Sequence, residues 1–553
     1  MNGAMTNRTG GRILVDQLVT HGCERIFTVP GESFLAVLDA LHDTPAIDLV
    51  TCRQEGGAAF MACAEGTLTG RPGVCFVTRG PGATNASIGV HVAMQDSIPM
   101  LLFIGDVDRG MRDREGFQEV DFQAMFAPLA KWATRIDDAR RIPEYVARAW
   151  TVATSGRPGP VVIALPEDML LDAVEAVDRP RRDWVEQPTD AVRLDALLAM
   201  LDAAERPVAI VGGAGWATRA SEAFATFADA AGIPVVAAFR RQDAVANTAP
   251  WYAGNLGYGP NPTLAQRVRD ADLLLVIGAR LGEATTDGYT LVTPDHPGQQ
   301  LIHIHPDPNE LGRVYQPDLA ICADVANACE ALATAAPRVR RRGSGVAAHA
   351  DYLAWSTPQP RANVALDLGP CVAAMRAQLP ADTIICNGAG NYSGWWHRYW
   401  PYAGPGTQLA PTAGAMGYGV PAAVAAARRY PGRSVVALAG DGCFLMNGQE
   451  LATAVQHDCS LLVIVVDNGA YGTIRMHQER EFPRRTVGTT LANPDFAALA
   501  RAYGCWAETV ERTEDFAPAL TRASAQPGVR LLHLKTDVEV ITNGTTLSAI
   551  RER

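Results

Sequence analysis

The 553-residue sequence has little of what marks a nucleic-acid binder, a membrane protein or a disulfide-stapled secreted domain. Lys and Arg number 48 against 59 Asp and Glu, the formal net charge is -11, and no basic run occurs. Binding a polyanion needs a positive patch, so nucleic acid is not an expected partner. No apolar run approaches the ~20 residues that span a bilayer. The opening MNGAMTNRTGGR has no apolar signal core. A soluble, cytoplasmic protein without membrane partners is therefore expected. The eleven cysteines include no C-x-x-C pair, so neither a zinc site nor a disulfide framework is indicated, and the thiols are expected to be reduced.

What is present is material for several cores. Hydrophobic residues make up 48% and charged residues 19%, ordinary for a globular chain, and the length suggests three or four domains. Apolar strand candidates alternate with helical stretches in three blocks, 1–178, 190–338 and 364–540, followed by a tail at 541–553. In the first block the strand candidates are 25–29, 74–78, 100–104 and 161–165. Such alternation predicts parallel sheets covered on both faces. The fold class is accordingly α/β, with three doubly wound parallel-sheet domains. Linkers rich in Arg, Pro, Gly and Ala are placed at 178–192 and 338–363. In the second block, 211–215 (VGGAG) looks like a dinucleotide fingerprint but is not G-x-G-x-x-G, and it is read as a turn into a helix. His303 and His305 share one face of a strand. Without a nearby third ligand they are read as strand-end histidines, not metal ligands.

The sharpest chemical signal is Gly440-Asp441-Gly442, followed 27 residues after Asp441 by Asn468. A strand at 434–439 runs into the first motif, a helix is predicted over 447–456, and a second strand at 461–466 ends at Asp467-Asn468. Two parallel strands then bring Asp441 and Asn468 together at their carboxyl ends, where open α/β sheets bind ligands. Asp441, the Asn468 amide oxygen and a backbone carbonyl just beyond make a hard oxygen site suited to Mg²⁺, completed by diphosphate oxygens and water. The glycines let backbone N–H groups approach phosphate, and a helix N-terminus favours its charge.

This spacing resembles the cofactor motif of thiamine diphosphate enzymes. Asp467 stands where that motif has its first Asn; Ala470 stands where it offers a carbonyl to the metal. Further segments extend the likeness over almost the whole chain: Arg53-Gln54-Glu55-Gly56-Gly57-Ala58, Gly80-Pro81-Gly82-Ala83-Thr84-Asn85, Asp96-Ser97-Ile98-Pro99, Phe117-Gln118-Glu119 and Ala415-Met416-Gly417-Tyr418-Gly419. On these the chain is similar to the acetolactate synthase-like family of thiamine diphosphate enzymes. The resemblance implies pyrimidine-binding, central and diphosphate-binding domains in that order. It also implies a homodimer or homotetramer with active sites between subunits. Thiamine diphosphate and Mg²⁺ are the implied cofactors. FAD is allowed by the resemblance but not expected.

The resemblance assigns roles residue by residue. Glu55 matches the activating glutamate. A carboxyl group against N1′ of the pyrimidine stabilises the tautomer that takes the C2 proton, and an apolar pocket raises such a group's pKa. Met416 matches the bulky residue over which the cofactor bends, and Gln118 a polar residue near the thiazolium. Gly440, Asp441, Gly442, Cys443, Asn468, Tyr471 and Gly472 are the other cofactor-binding candidates, with Asp441, Asn468 and Ala470 as metal ligands. His91 is a candidate to reach the cavity, weighed against a core histidine. The aromatic cluster at 392–402 is expected at a subunit contact in preference to the substrate pocket.

The implied reaction is decarboxylation of pyruvate or a related 2-keto acid to a cofactor-bound enamine, followed by carbon–carbon bond formation. Three departures separate the chain from biosynthetic acetolactate synthases. His477 replaces the Trp of a Q-W-Q segment, Val29-Pro30-Gly31-Glu32 replaces Y-P-G-G, and Arg280-Leu281-Gly282-Glu283-Ala284 replaces the flavin-linked R-F-D-D-R. Arg157 lies in a segment that touches flavin in some relatives and is also present in flavin-free ones. The second reading is a thiamine diphosphate-dependent decarboxylase or lyase of other 2-keto or 2-hydroxyacyl substrates. A third is a non-catalytic thiamine diphosphate-binding homologue, against which the intact Glu55 argues.

Overall fold

A computed structural model describes residues 7–182, 186–295, 298–336 and 343–552. The expected start of the first block at residue 1 and the end of the second at 338 lie outside the described residues. Three six-stranded sheets are present, each wholly parallel. The first contains, in spatial order, Asp48–Thr51, Arg25–Thr28, Gly73–Val77, Met100–Asp106, Pro160–Pro166 and Trp132–Arg135. Numbered along the chain, that order is second, first, third, fourth, sixth, fifth. The third sheet repeats it with Gln408–Leu409, Ile384–Asn387, Val435–Gly440, Leu461–Asp467, Val529–Lys535 and Trp506–Val510. The central sheet differs. Its order is Tyr252–Asn255, Val235–Ala237, Pro207–Val211, Leu273–Ile277, Gln300–His305, Leu319–Cys322. The doubly wound α/β expectation is met three times over.

Composition explains the central strands. Met100–Asp106 (MLLFIGD) and Leu461–Asp467 (LLVIVVD) bury all seven of their residues, as strands covered on both faces must. The two strands of the first sheet that the sequence did not reveal, Asp48–Thr51 and Trp132–Arg135, are its edges. They are short and largely half-buried, so their composition is mixed. The predicted helix over 447–456 is instead two helices, Asp441–Asn447 and Glu450–Gln456. The chain turns helical directly at the strand tip, with Gly440 as the capping residue and Asp441 in the first turn, where its charge suits the helix dipole.

One core joins the first and third domains. Helix Glu55–Thr69 packs between Gly80–Asp96 and Gly419–Arg429. The approach to Gly80–Asp96 is close enough that a Cβ on Gly89 would lie 2.3 Å from that of Ala59. In the central domain, the 211–215 turn brings two strand ends together: a Cβ on Gly213 (φ +78) would lie 2.0 Å from the Gly278 carbonyl oxygen. The Trp216 indole covers the turn, donating to the Gly212 carbonyl at 2.8 Å. His303 and His305 are both buried on one strand, their rings bonded locally to the Ala279 carbonyl and the Asp307 backbone. Burial pushes His305 down to about 4. Among the described residues no helix is long and apolar enough to cross a membrane, and all eleven cysteines are free thiols.

One expectation is revised here. The aromatic cluster is not a surface waiting for a subunit: Tyr392, Trp395, Trp396, Tyr399, Trp400 and Tyr402 are all buried within one chain. They fill the third domain's core and its joint with the central domain. There Asn247 N–H donates to the Tyr402 carbonyl at 2.9 Å, Tyr402 N–H donates to Asn247 Oδ1 at 3.0 Å, and the Gln242 amide donates to the His397 carbonyl. Residues 541–552 of the tail fold back over the third sheet. Asn391 donates to the Ile541 carbonyl at 3.1 Å, Asn543 to the Gly394 carbonyl at 2.6 Å, and Arg551 pairs with buried Glu479 at 2.7 Å.

Candidate active site

In the third sheet the chain order reverses between Ile384–Asn387 and Val435–Gly440, which leaves a crevice beyond their carboxyl ends. A cavity of about 260 Å³ occupies it. Its walls include Met416, Gly440, Asp441, Gly442, Cys443, Asn468, Ala470, Tyr471 and Gly472. These are all nine candidates that the third block supplied. Tyr392 and Trp395 from the aromatic cluster, Thr536 and Val540 from the end of the third block, and Ile541 from the tail also line it.

Register explains the juxtaposition. Gly440 pairs with Val466, so the residues just beyond, Asp441 and Asp467-Asn468, emerge side by side. Buried Asp441 accepts from its neighbour Gly442 N–H at 2.9 Å through Oδ1. Its Oδ2 accepts from Ala470 N–H at 3.2 Å and from the Asn493 amide at 2.8 Å. Asn468 Oδ1 shares the Ala470 N–H at 3.2 Å. Glycine is required at the strand tip. A Cβ on Gly442 would lie 2.5 Å from the Tyr471 ring, and one on Gly440 would lie 3.0 Å from Tyr392. Cys443 Sγ accepts from Gly417 N–H at 3.1 Å, which ties the helix to the loop carrying Met416.

Asp467, the residue that replaces the motif's Asn, faces the other way. Its Oδ2 accepts from His533 Nε2 at 2.8 Å and Lys535 Nζ at 2.6 Å, its Oδ1 from Gly469 N–H at 3.1 Å and the Asn493 amide at 2.7 Å. Burial pushes its pKa up, but these bonds, led by His533 and Lys535, outweigh burial and hold the carboxyl well below the usual range. Asp441 has no such cation. Burial raises its pKa, and the neighbouring Asp467 charge adds to the rise against the bonds from Gly442 and Asn493. Among the described residues no group of three or more His, Cys, Asp or Glu could hold a metal. A cation at Asp441 would thus meet one carboxylate and neutral oxygens, a set that suits Mg²⁺ only when phosphate and water oxygens complete it. The Asn493 Oδ1 atom is buried without a hydrogen-bond partner. The donor set and the glycine-lined crevice fit a Mg²⁺-diphosphate group.

The first domain presents a second group. Glu55 opens helix Glu55–Thr69, whose Gln54 cap accepts from Gly57 N–H. Glu55 is half-buried, and the Asn85 amide donates to its Oε2 at 2.9 Å. Gln118 sits in a left-handed conformation (φ +63), and its carbonyl accepts from Gly80 N–H at 2.9 Å. Such strain in a non-glycine residue persists only where neighbours impose it. Gln118 lines a separate cavity of about 460 Å³ with Asp106, Arg135 and Glu119. Glu55 and Gln118 both lie around the start of helix Gly80–Asp96, but neither lines the third-domain cavity of the same chain. His91 is exposed on that helix and lines neither cavity. His477 is exposed on Gly472–Glu481. Arg157 is engaged within the chain by Ser97, Glu310 and the Met94 carbonyl.

Asn493, His533 and Lys535 were not singled out for this site, while Tyr392 belongs to the aromatic cluster for which the substrate pocket was the second reading. Asn493 lies 26 residues beyond Asp467 in a loop without a motif, and only the fold brings it to the two carboxylates.

Comparison with known proteins matches three successive domain families. These are the N-terminal TPP binding domain of thiamine pyrophosphate enzymes at 8–125, the central domain at 194–332 and the C-terminal TPP binding domain at 388–534. The Escherichia coli acetolactate synthase isozyme 2 large subunit is 30% identical over 532 residues, covering 96% of this chain and 95% of the relative. The Corynebacterium glutamicum acetolactate synthase large subunit is 29% identical over 539 residues (94% and 86%). A Mycobacterium bovis acetolactate synthase is 31% identical over 546 residues (94% and 87%).

Proposed function

Because this chain belongs to the acetolactate synthase-like family of thiamine diphosphate-dependent enzymes, we propose that it is a Mg²⁺-dependent carboligase acting on pyruvate or a related 2-keto acid. The observation that carries this reading is the convergence of Asp441, Asn468 and Ala470 with Met416 on one glycine-lined cavity. Asp441, Asn468 and the Ala470 carbonyl would hold the metal. Backbone N–H groups beyond Gly440 would meet the diphosphate, and Met416 would support the ring system. Bound thiamine diphosphate supplies a carbon nucleophile and an electron sink for decarboxylation. Glu55 would hold or give up a proton at the pyrimidine N1′, Gln118 would orient polar groups nearby, and Val540 and Ile541 on the cavity wall would help exclude water. Glu55 lies outside its own chain's cavity, which supports a homodimer or homotetramer in which one subunit's Glu55 completes its neighbour's site.

One observation favours a second reading. The helix that carries an acceptor-site Trp in biosynthetic acetolactate synthases has His477 here, exposed to solvent. A decarboxylase or lyase of a bulkier 2-keto or 2-hydroxyacyl substrate would need no such indole. A panel of 2-keto acids incubated with thiamine diphosphate and Mg²⁺ tests both readings. Carbon dioxide release with coupled hydroxyketone or 2-hydroxy-3-keto acid products marks a carboligase, release with free aldehyde a decarboxylase. No release from any member of the panel would refute the proposal.

The second layer of the metal site is also testable. Asn493 bridges Asp441 and Asp467, so Asn493→Ala should weaken metal-dependent cofactor binding by about 10–100-fold. Tryptophan fluorescence titrations would measure it; an unchanged dissociation constant would show that the bridge does not orient Asp441.

A further inference from the structure

The first and third sheets share one strand order, and the connections at equivalent places in that order reach across to each other. Glu450 lies in the connection between the third and fourth strands of the third sheet and is fully buried. Its carboxylate accepts from Arg53 N–H at 3.1 and 3.3 Å, in the connection between the second and third strands of the first sheet. Thr453 donates to the same carboxylate at 2.6 Å. Gly57 makes room for it, since a Cβ there would lie 2.7 Å from Glu450 Oε1. Asp96 occupies the equivalent connection of the first sheet, at the end of helix Gly80–Asp96. It accepts from Thr412 N–H at 2.8 Å, Thr412 Oγ1 at 2.6 Å and Ala413 N–H at 2.9 Å, in the connection between the second and third strands of the third sheet. Neither carboxylate has a Lys or Arg partner among the salt bridges of the described residues. Each is satisfied by backbone and hydroxyl donors from the other domain or its own helix.

We infer that Glu450 and Asp96 form a reciprocal clasp, each a positioning residue that fixes the backbone presenting the other domain's functional side chain. Glu450 fixes the start of the helix that opens with Glu55. Asp96 fixes the turn three residues before Met416, where Pro411 also accepts from Arg240 of the central domain. Hydrogen bonds from N–H and O–H groups to a carboxyl group are directional, so they set position more finely than apolar packing does. The functional part of the inference rests on the cofactor reading above; the structural part does not. A displacement of ~1 Å in a reacting group can cost on the order of 100-fold in rate, which makes this a matter of turnover as well as folding.

The test uses the full-length protein with the isosteric variants Glu450→Gln and Asp96→Asn, read by amide hydrogen exchange, cofactor titration and turnover. Glu450→Gln should speed exchange around 53–57 at least tenfold and leave 410–417 unchanged. It should lower turnover about 10–100-fold while the thiamine diphosphate dissociation constant stays within threefold. Asp96→Asn should give the converse exchange pattern and weaken cofactor binding at least tenfold, because Met416 lines the cavity. If Glu450→Gln does not fold, Gly57→Ala displaces the carboxylate without removing it and should give the 53–57 signature. Exchange that stays protected at both segments, with turnover per folded site within twofold of wild type, overturns the clasp. If wild-type protein does not bind thiamine diphosphate, the cofactor reading fails, and the segment-specific exchange pattern alone decides the clasp.

Discussion

Replacing Glu55 by Gln should lower turnover by about 10²–10⁴-fold, the range that a positioned acid–base group contributes, with thiamine diphosphate still bound. The variant keeps the shape of the side chain and an oxygen able to accept from the Asn85 amide, which now lies 2.9 Å from Glu55 Oε2. What it removes is the ability to hold a proton at one protonation state and release it at the other. The metal and diphosphate end of the site is built from another domain and is untouched, so the cofactor dissociation constant should move by less than threefold. Cofactor-saturated turnover and fluorescence titration separate the two quantities. Wild-type turnover in this variant would remove Glu55 from the chemistry. A large loss of affinity would instead make it a binding residue.

The second large effect is expected at Asp441. Among the described residues it is the one carboxylate on the cavity wall, and it also receives the Gly442, Ala470 and Asn493 donors. Asp441→Ala should therefore abolish metal-dependent cofactor binding, a loss greater than the ~10–100-fold typical of residues behind a ligand. Asp441→Asn is the informative companion, because it keeps the size of the side chain and an acceptor for those donors and removes only the charge. If charge against the cation is what matters, both variants fail to bind thiamine diphosphate at any practical Mg²⁺ concentration, and a chelator strips the cofactor from wild type. Near-normal binding by Asp441→Asn would show that the residue organises the strand tips and does not ligate the metal.

Asp441 and Asn468 stood out in the sequence because each lies at a point where local pattern and chemistry coincide, whereas Glu55 stood out only through the resemblance carried by Arg53-Gln54-Glu55-Gly56-Gly57-Ala58. An apolar strand followed by Gly440-Asp441-Gly442, and another ending at Asn468, is a local signal for a strand tip. The parallel sheet then places the tips together by register, Gly440 opposite Val466. The helix start at Asp441 was less visible, since a Gly-Asp-Gly triplet reads as a turn whether or not a helix follows at once. The function of Asp467 could not be read from its neighbours. Its partners His533 and Lys535 are 66 and 68 residues away and reach it only because Val529–Lys535 pairs with Leu461–Asp467. Glu450 posed the same difficulty across 397 residues. The aromatic cluster misled because composition gives amphipathic rings no address. Trp and Tyr serve cores and interfaces alike, and here the central domain and the tail cover what a partner was expected to cover.

A structure of the assembled protein with thiamine diphosphate, with Mn²⁺ in place of Mg²⁺, would show whether Asp441 and Asn468 hold the metal, because Mn²⁺ can be located by its anomalous signal. The expected result is a metal peak bonded to Asp441 and Asn468 at the mouth of the third-domain crevice, with the pyrimidine ring beside Glu55 of the partner subunit. A metal bound elsewhere, or a Glu55 that faces bulk solvent in every subunit, would contradict it.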